Sequence, residues 1–244
     1  MSRSEQRRQA REGGSGTKKL YIAIAIVAVL GVAGVGLSVQ SGGSAVTAPV
    51  AVDGLDDMEH LVEVAQGVTR GDPDAPVTIV EFGDYQCPAC QAYATQVKPQ
   101  VDLAFVESGR AKFIFYDFPI IGGHRNAFLA ARAARCAGDQ ERYWEYHDNL
   151  FRMQARWSPM TNPIDTFVEY AETVGADGSS FRSCLESDRH AELVTANMYL
   201  GEQLGVQGTP TILINYGAAT RRVGYDFESI RSMIEDVLES GEGA

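Results

Sequence analysis

Cysteine is scarce in this chain of 244 residues: there are four, at positions 87, 90, 136 and 184, and none in the first 86. Histidine is equally sparse, at 60, 124, 147 and 190, and none lies beside Cys87 and Cys90. A zinc site at that pair would need two more ligands, commonly a second Cys-x-x-Cys or a close histidine pair, and neither is present. Positive charge is also in deficit, with 21 Lys+Arg against 32 Asp+Glu and a net charge of −11. An acidic chain of this kind is poorly suited to nucleic acid. No internal repeat is found.

Charge is missing altogether from residues 20 to 39, "LYIAIAIVAVLGVAGVGLSV". Twenty uncharged, mostly apolar residues are long enough to span a hydrocarbon core as a helix. Before this run, Arg3, Arg7, Arg8, Arg11, Lys18 and Lys19 face only Glu5 and Glu12. After it come Asp53, Asp56, Asp57, Glu59 and Glu63, with no Lys or Arg until Arg70. This asymmetry predicts a basic cytoplasmic tail over 1–19, a single-pass anchor over 20–39 and an extracytoplasmic remainder, periplasmic or on the outer surface. A cleaved signal peptide is the alternative; its apolar region is usually shorter, although "SVQSGGSA" offers a weak cleavage site. No cysteine follows the run closely enough for lipoprotein anchoring.

Residues 40–60 are rich in Gly, Ser, Ala and acids and read as a flexible, solvated linker. Residues 61–242 suffice for one domain with its own core. "PVTIVEF" is a buried-strand signature, and a helix is expected from about Cys90 to Phe105. "AKFIFYDFPI" predicts a second strand, followed by a helical block over about 122–204. "TPTILINY" and "TRRVG" predict a third strand and an edge strand. A closing helix follows, with Asp226 as its N-cap. The fold class is therefore α/β, a central sheet with an inserted helical subdomain. Tyr143, Trp144, Tyr146 and Phe151 recur near helical spacing and read as core. Phe82, Tyr85 and Tyr93 are candidates for an apolar rim around Cys87, and His124 reads as a capping or surface residue.

Cys87 and Cys90 lie at the join of the first strand and its helix. The first turn of a helix leaves N–H groups unpaired, and its peptide dipoles add partial positive charge there. A Cys87 thiolate is stabilised by such a site, which lowers its pKa and makes a Cys87–Cys90 disulfide easy for a thiol to reduce. Pro88 suits the start of a helix, and Cys90, one turn in, is expected to be more buried. A plain structural disulfide would be strained at this spacing and would staple little chain. In an oxidising compartment, Cys136 and Cys184 are expected to pair within the helical block. Closing a loop of roughly 49 residues would stabilise by about 4 kcal/mol in the chain-entropy view. A second redox-active pair or two free thiols are the other possibilities.

"VEFGDYQCPAC", "HRNAFLAARAARCAG", "YWEYHDNLF" and "LGVQGTPTILIN" together resemble the membrane-tethered DsbA-like thiol–disulfide oxidoreductases, over about residues 62–240. The resemblance implies a thioredoxin-like sheet with a helical insertion and needs no cofactor or metal. It implies that Cys87 is the nucleophile and Cys90 its buried partner. Thr209 and Pro210 would form the cis-proline loop that, with Pro88 and Ala89, meets a bound peptide. Glu81, six positions before the nucleophile, matches an acidic strand residue; a buried carboxylate there would have a raised pKa and relay protons to Cys90, whereas at the strand's exposed end it would be inert. The implied substrates are reduced or unfolded exported proteins. The implied reoxidant is a quinone-linked membrane protein of the DsbB or vitamin-K-epoxide-reductase type, and a monomer is expected. Ala89 stands where the family's strong oxidant has histidine, which predicts a weaker oxidant than that relative, still stronger than cytosolic thioredoxin. An isomerase or reductase of the same fold, or a peptide-binding module with an inert disulfide, are the competing functions.

Overall fold

A computed structural model of the chain describes residues 45–240. The basic tail, the expected anchor at 20–39 and the first part of the linker lie outside the described residues. No helix among the described residues is long and apolar enough to cross a membrane.

The sheet grows outward from its most apolar strand. Strand β1 (Val68–Arg70) is a short edge, β2 (Val77–Gly83) is central, β3 is Ala111–Asp117, β4 is Thr211–Tyr216 and β5 is Ala219–Val223. Their order is β1-β3-β2-β4-β5. β2 runs parallel to β3 and antiparallel to β4, while β1 and β5 pair antiparallel with β3 and β4. Because side chains alternate along a strand, β2 feeds two cores. Val77 and Ile79 face Phe113, Phe115, Ile212 and Ile214 on one side. Val80 and Phe82 face Leu61, Ala196, Leu200 and Leu213 on the other.

Helix α1 (Met58–Val64) precedes the sheet, capped by Asp57, which accepts from the His60 N–H at 2.9 Å. Between β2 and β3 the chain is helical through α2 (Pro88–Ala92), a π turn (Tyr93–Val97), α3 (Lys98–Val101) and a second π turn (Asp102–Val106). Pro99 has no N–H to continue the regular ladder, and the Lys98 N–H reaches the Tyr93 carbonyl, the wider spacing of a π turn. Between β3 and β4 come α4 (Ala127–Gly138), α5 (Tyr143–Arg152), α6 (Gln154–Trp157), α7 (Ile164–Thr173), α8 (Gly178–Leu185) and α9 (Ala191–Gln203). The chain closes on α10 (Phe227–Ser240), where Asp226 accepts from the Ser229 N–H at 2.9 Å.

The alanine-rich α4 is buried along almost its whole length, which lets neighbouring helices approach closely. Its two arginines are buried as well. Arg135 pairs with Asp117 at the end of β3, at 2.7 Å. Arg132 donates to the carbonyls of Val46, Ser187 and Arg189, at 2.7, 2.6 and 3.0 Å.

That contact corrects the expectation of a free linker over 40–60. From residue 45 onward the segment is docked: Ala45, Val46 and Val50 pack on the core, and the Val50 N–H donates to Thr195 Oγ1 at 3.1 Å. Helix α1 begins inside the expected linker. Burial of a few small apolar residues and backbone hydrogen bonding, neither of which leaves a sequence period, hold this stretch in place. The edge strand β1 escapes sequence detection for the same reason, being only three residues long.

Candidate active site

Cys87 is the N-cap of α2, in extended conformation, with Pro88 in the first turn. The turn before it is closed by the Cys87 N–H donating to the Asp84 carbonyl at 3.1 Å. Cys87 is 8 % exposed and Cys90 wholly buried; both are unbonded thiols. The Cys87 thiol donates to the Thr209 carbonyl at 3.4 Å, across the cis Thr209–Pro210 bond. The structure thus brings Cys87, Pro88, Ala89, Cys90, Thr209 and Pro210 to one place, although Thr209 follows Cys87 by 122 positions.

The two sulfurs are driven apart in acidity. A hydrogen bond from the Cys90 thiol does most to lower the Cys87 pKa, to about 5; the Thr209 side chain and the N–H groups of Ala89 and Cys90 add to it, against burial. For scale, the reactive cysteines of thioredoxin and DsbA lie near ~7 and ~3.5. Burial pushes the Cys90 thiol far above its usual range, aided by its bond to Cys87 and the charge of Glu81. The Asp84 N–H, 3.5 Å from Cys90 Sγ, works the other way.

Glu81 lies in the middle of the sheet, level with Phe115 on β3 and Ile212 on β4. It is 0 % exposed, and neither carboxylate oxygen has a hydrogen-bond partner among the described residues. Burial raises its pKa to about 8, partly opposed by the positive charge of Lys98. The alternative of an exposed strand end is therefore excluded by position. Lys98 is itself buried, donating to Asp102 Oδ2 at 2.7 Å, with its ammonium 4.7 Å from the Phe113 ring centre.

The aromatic residues are placed differently from the sequence reading. Phe82, Tyr85 and Tyr93 are buried and form no rim around Cys87; Phe82 packs into the core on one side of the sheet, and Tyr85 and Tyr93 into the core on the other. Tyr85 Oη lies 2.9 Å from His147 Nδ1 and 3.1 Å from Tyr143 Oη, and burial keeps His147 uncharged. Tyr143, Tyr146 and Phe151 are core, as expected, and Trp144 is partly buried.

Several residues that shape the site went unnoticed in the sequence. Gln154 Nε2 donates to the carbonyls of Tyr85 and Cys87 at 2.8 and 2.9 Å, tying the cysteine loop to the insertion. Gln86 Oε1 accepts from the Asn126 N–H at 2.8 Å, at the start of α4. Asp84 binds His124, so that His124 is neither a helix cap nor a free surface group. The polar run "GDYQ" ahead of the motif was the available signal for Asp84 and Gln86; Gln154 carried none.

Cys136 and Cys184 are joined by a disulfide between α4 and α8. Their sulfurs and His190 are the one group of three metal-type donors among the described residues, and the two sulfurs are bonded to each other. Thiols so spaced and polarised as Cys87 and Cys90 can exchange electrons with other thiols, the first as nucleophile or leaving group and the second as its buried partner.

Comparison with known proteins agrees with this chemistry. The family described as thioredoxin matches residues 63–236. Disulfide bond formation protein D of Bacillus subtilis is 30 % identical over 171 residues, covering 69 % of this chain and 76 % of that protein. A crystal structure of oxidised BdbD from Bacillus subtilis superposes with a TM-score of 0.64 at 24 % identity, over 80 % of this chain and 99 % of that one. A crystal structure of Chlamydia trachomatis DsbA superposes with a TM-score of 0.62 at 24 % identity, over 70 % and 91 %.

Proposed function

Since the chain belongs to the thioredoxin family, as a DsbA-like thiol–disulfide oxidoreductase, we propose that it works as an exported oxidase, donating a Cys87–Cys90 disulfide to newly translocated proteins. The observation that carries this reading is the Cys87 sulfur held near pKa 5 at the mouth of a helix. A sulfur so stabilised as thiolate is released readily, which favours passing the disulfide on rather than keeping it.

A substrate thiolate attacks Cys87 Sγ, the Cys87–Cys90 bond breaks, and the electron pair moves to Cys90 Sγ. Glu81, protonated at neutral pH because its pKa is near 8, supplies the proton that converts Cys90 to a thiol. A second substrate thiolate then attacks the substrate sulfur of the mixed disulfide, and Cys87 leaves as a thiolate. The substrate is oxidised by two electrons and the enzyme is left as the dithiol. Thr209, Pro210, Pro88 and Ala89 border the sulfur that the substrate must reach. The disulfide of Cys136 and Cys184 is taken as a structural staple.

We further propose that residues 20–39 anchor the domain outside the membrane and that a quinone-linked membrane protein regenerates its disulfide. A tether would keep both proteins on one surface and raise their effective concentration. If the anchor is right, alkaline extraction leaves the full chain in the membrane pellet; release into the supernatant contradicts it.

The catalytic reading is tested by mixing the oxidised protein with a reduced, cysteine-bearing test protein. Stoichiometric transfer of disulfides, abolished in Cys87→Ser, is expected. Activity only from the reduced form, on scrambled disulfides, would make it an isomerase, and no effect in either assay would make it a binding module.

A further inference from the structure

Asp84 lies just beyond β2 and three positions before Cys87, with its side chain fully buried. A carboxylate withdrawn from water is costly unless its oxygens are hydrogen-bonded, and this one is. Oδ1 accepts from the Gln86 N–H at 2.7 Å. Oδ2 accepts from the Ile120 N–H at 2.8 Å and from His124 Nδ1 at 2.7 Å. Ile120 and His124 belong to the loop after β3, so the carboxylate joins the cysteine loop to a segment 36 to 40 positions away.

The backbone of Asp84 serves both cysteines. Its carbonyl accepts from the Cys87 N–H at 3.1 Å, and its own N–H donates to Cys90 Sγ at 3.5 Å. Among the groups acting on Cys90, that N–H is the one that favours the anion.

We propose that Asp84 is a positioning residue for the chemistry at Cys90: its carboxylate, clamped by His124 and Ile120, holds the Asp84 N–H on the Cys90 sulfur to meet the charge that appears there. The proposal rests on the reading of Cys87 and Cys90 as an exchanging pair. When a thiolate attacks Cys87 of the disulfide, the new S–S bond forms at Cys87, the old one breaks and its electron pair goes to Cys90 Sγ. Because that sulfur is buried, this anion is the poor leaving group of the cycle. When Cys90 instead attacks a mixed disulfide at Cys87, the same sulfur must first become a thiolate. A fixed N–H donor lowers the barrier in both directions, and it acts on Cys90 without acting on Cys87.

His124, 23 % exposed at its side chain, is the member of the clamp that can be changed with least disturbance to the core. His124→Asn keeps a donor N–H near the position of Nδ1, whereas His124→Ala removes it. The test uses the full chain with Asp84→Asn, His124→Ala and His124→Asn, and two rates. The first is reduction of the Cys87–Cys90 disulfide by glutathione, in which Cys90 leaves. The second is alkylation of Cys87 in the reduced protein across pH, in which Cys90 stays a thiol and contributes only its hydrogen bond to Cys87. Asp84→Asn and His124→Ala are expected to slow the first by about tenfold, the scale of one hydrogen bond to a charged group, with the midpoint of the second unmoved. His124→Asn is expected to restore the first rate to near the parent value. Unchanged reduction rates in His124→Ala, failure of His124→Asn to restore them, or a parallel shift of the alkylation midpoint would overturn the positioning role. Should Asp84→Asn fail to fold, the two His124 variants decide alone. A parent disulfide that does not exchange with glutathione at all would instead overturn the exchange reading on which the proposal stands.

Discussion

Three buried or half-buried acids, Cys87, Cys90 and Glu81, share one small region, and their environments push them in different directions. Cys87 gains hydrogen bonds to its anion and falls to about 5, whereas Glu81 loses water without gaining a partner and rises to about 8. These shifts have opposite consequences for stability. A depressed pKa stabilises the folded, reduced protein above the unfolded thiol's value of about 8.5, and that contribution is lost as pH falls toward 5. A raised carboxyl pKa acts in reverse, and stability is lost as pH rises from the unfolded value of about 4.3 through 8. Chemical unfolding of reduced Cys87→Ser should therefore show stability that declines between pH 5 and 8. Reduced Glu81→Gln should show stability that increases over the same range. Parallel slopes in the two variants would contradict the assignment. Glu81→Gln should also slow reduction of the Cys87–Cys90 disulfide near neutral pH, since the proton for Cys90 is no longer at hand.

At the scale of elements, the helix after the cysteines is shaped by Pro99. The π turns on either side of α3 advance the helix by extra residues, and Lys98 and Asp102 are buried rather than exposed. Lys98 is the positive charge that most lowers the Glu81 pKa. Lys98→Met should accordingly move the Glu81 carboxyl above 8, a change readable in its carbonyl infrared band during titration; a fall or no change would contradict the coupling. In α4, Arg135 compensates the Asp117 carboxylate, whose pKa burial otherwise raises. Arg135→Leu strands that buried group and should destabilise by about 3–5 kcal/mol in denaturant unfolding; a loss below about 1 kcal/mol would show the pair to be dispensable.

The elements that the sequence made legible are those with strong patterns. β2, β3, β4, the edge strand β5 and the Asp226-capped last helix all appear where apolar runs and turn residues predict them. The cysteine pair was legible because its spacing and setting are chemically distinctive. What escaped were contacts without local pattern: the docking of residues 45–57, the buried partners of Asp84, and Gln154 reaching back to the cysteine loop. The aromatic rim failed as an expectation because Phe82, Tyr85 and Tyr93 turn into the two cores that flank the sheet. From sequence, no residue says which neighbours will cover it.

At the scale of the whole domain, a thioredoxin-like sheet carries the reactive pair and an inserted helical layer braces it. The brace is covalently closed between α4 and α8 by Cys136 and Cys184. Removing it as Cys136→Ala/Cys184→Ala should cost about 4 kcal/mol in the chain-entropy view, seen as a lower unfolding midpoint. The Cys87–Cys90 equilibrium with glutathione should stay unchanged; a shift there would mean that the second pair takes part in the redox cycle. An oxidase also requires that the first pair sit well toward the oxidising end of its fold, nearer the roughly −120 mV of DsbA than the −270 mV of thioredoxin. That requirement reduces to the ionisation of one sulfur. Titrating the thiolate absorbance of Cys87 in the reduced protein, with Cys90→Ala as a check on assignment, measures it directly. A midpoint near 5 is expected in the parent, moving upward in Cys90→Ala as the hydrogen bond from Cys90 is lost. A parent midpoint at the ordinary cysteine value of about 8.5 would contradict it.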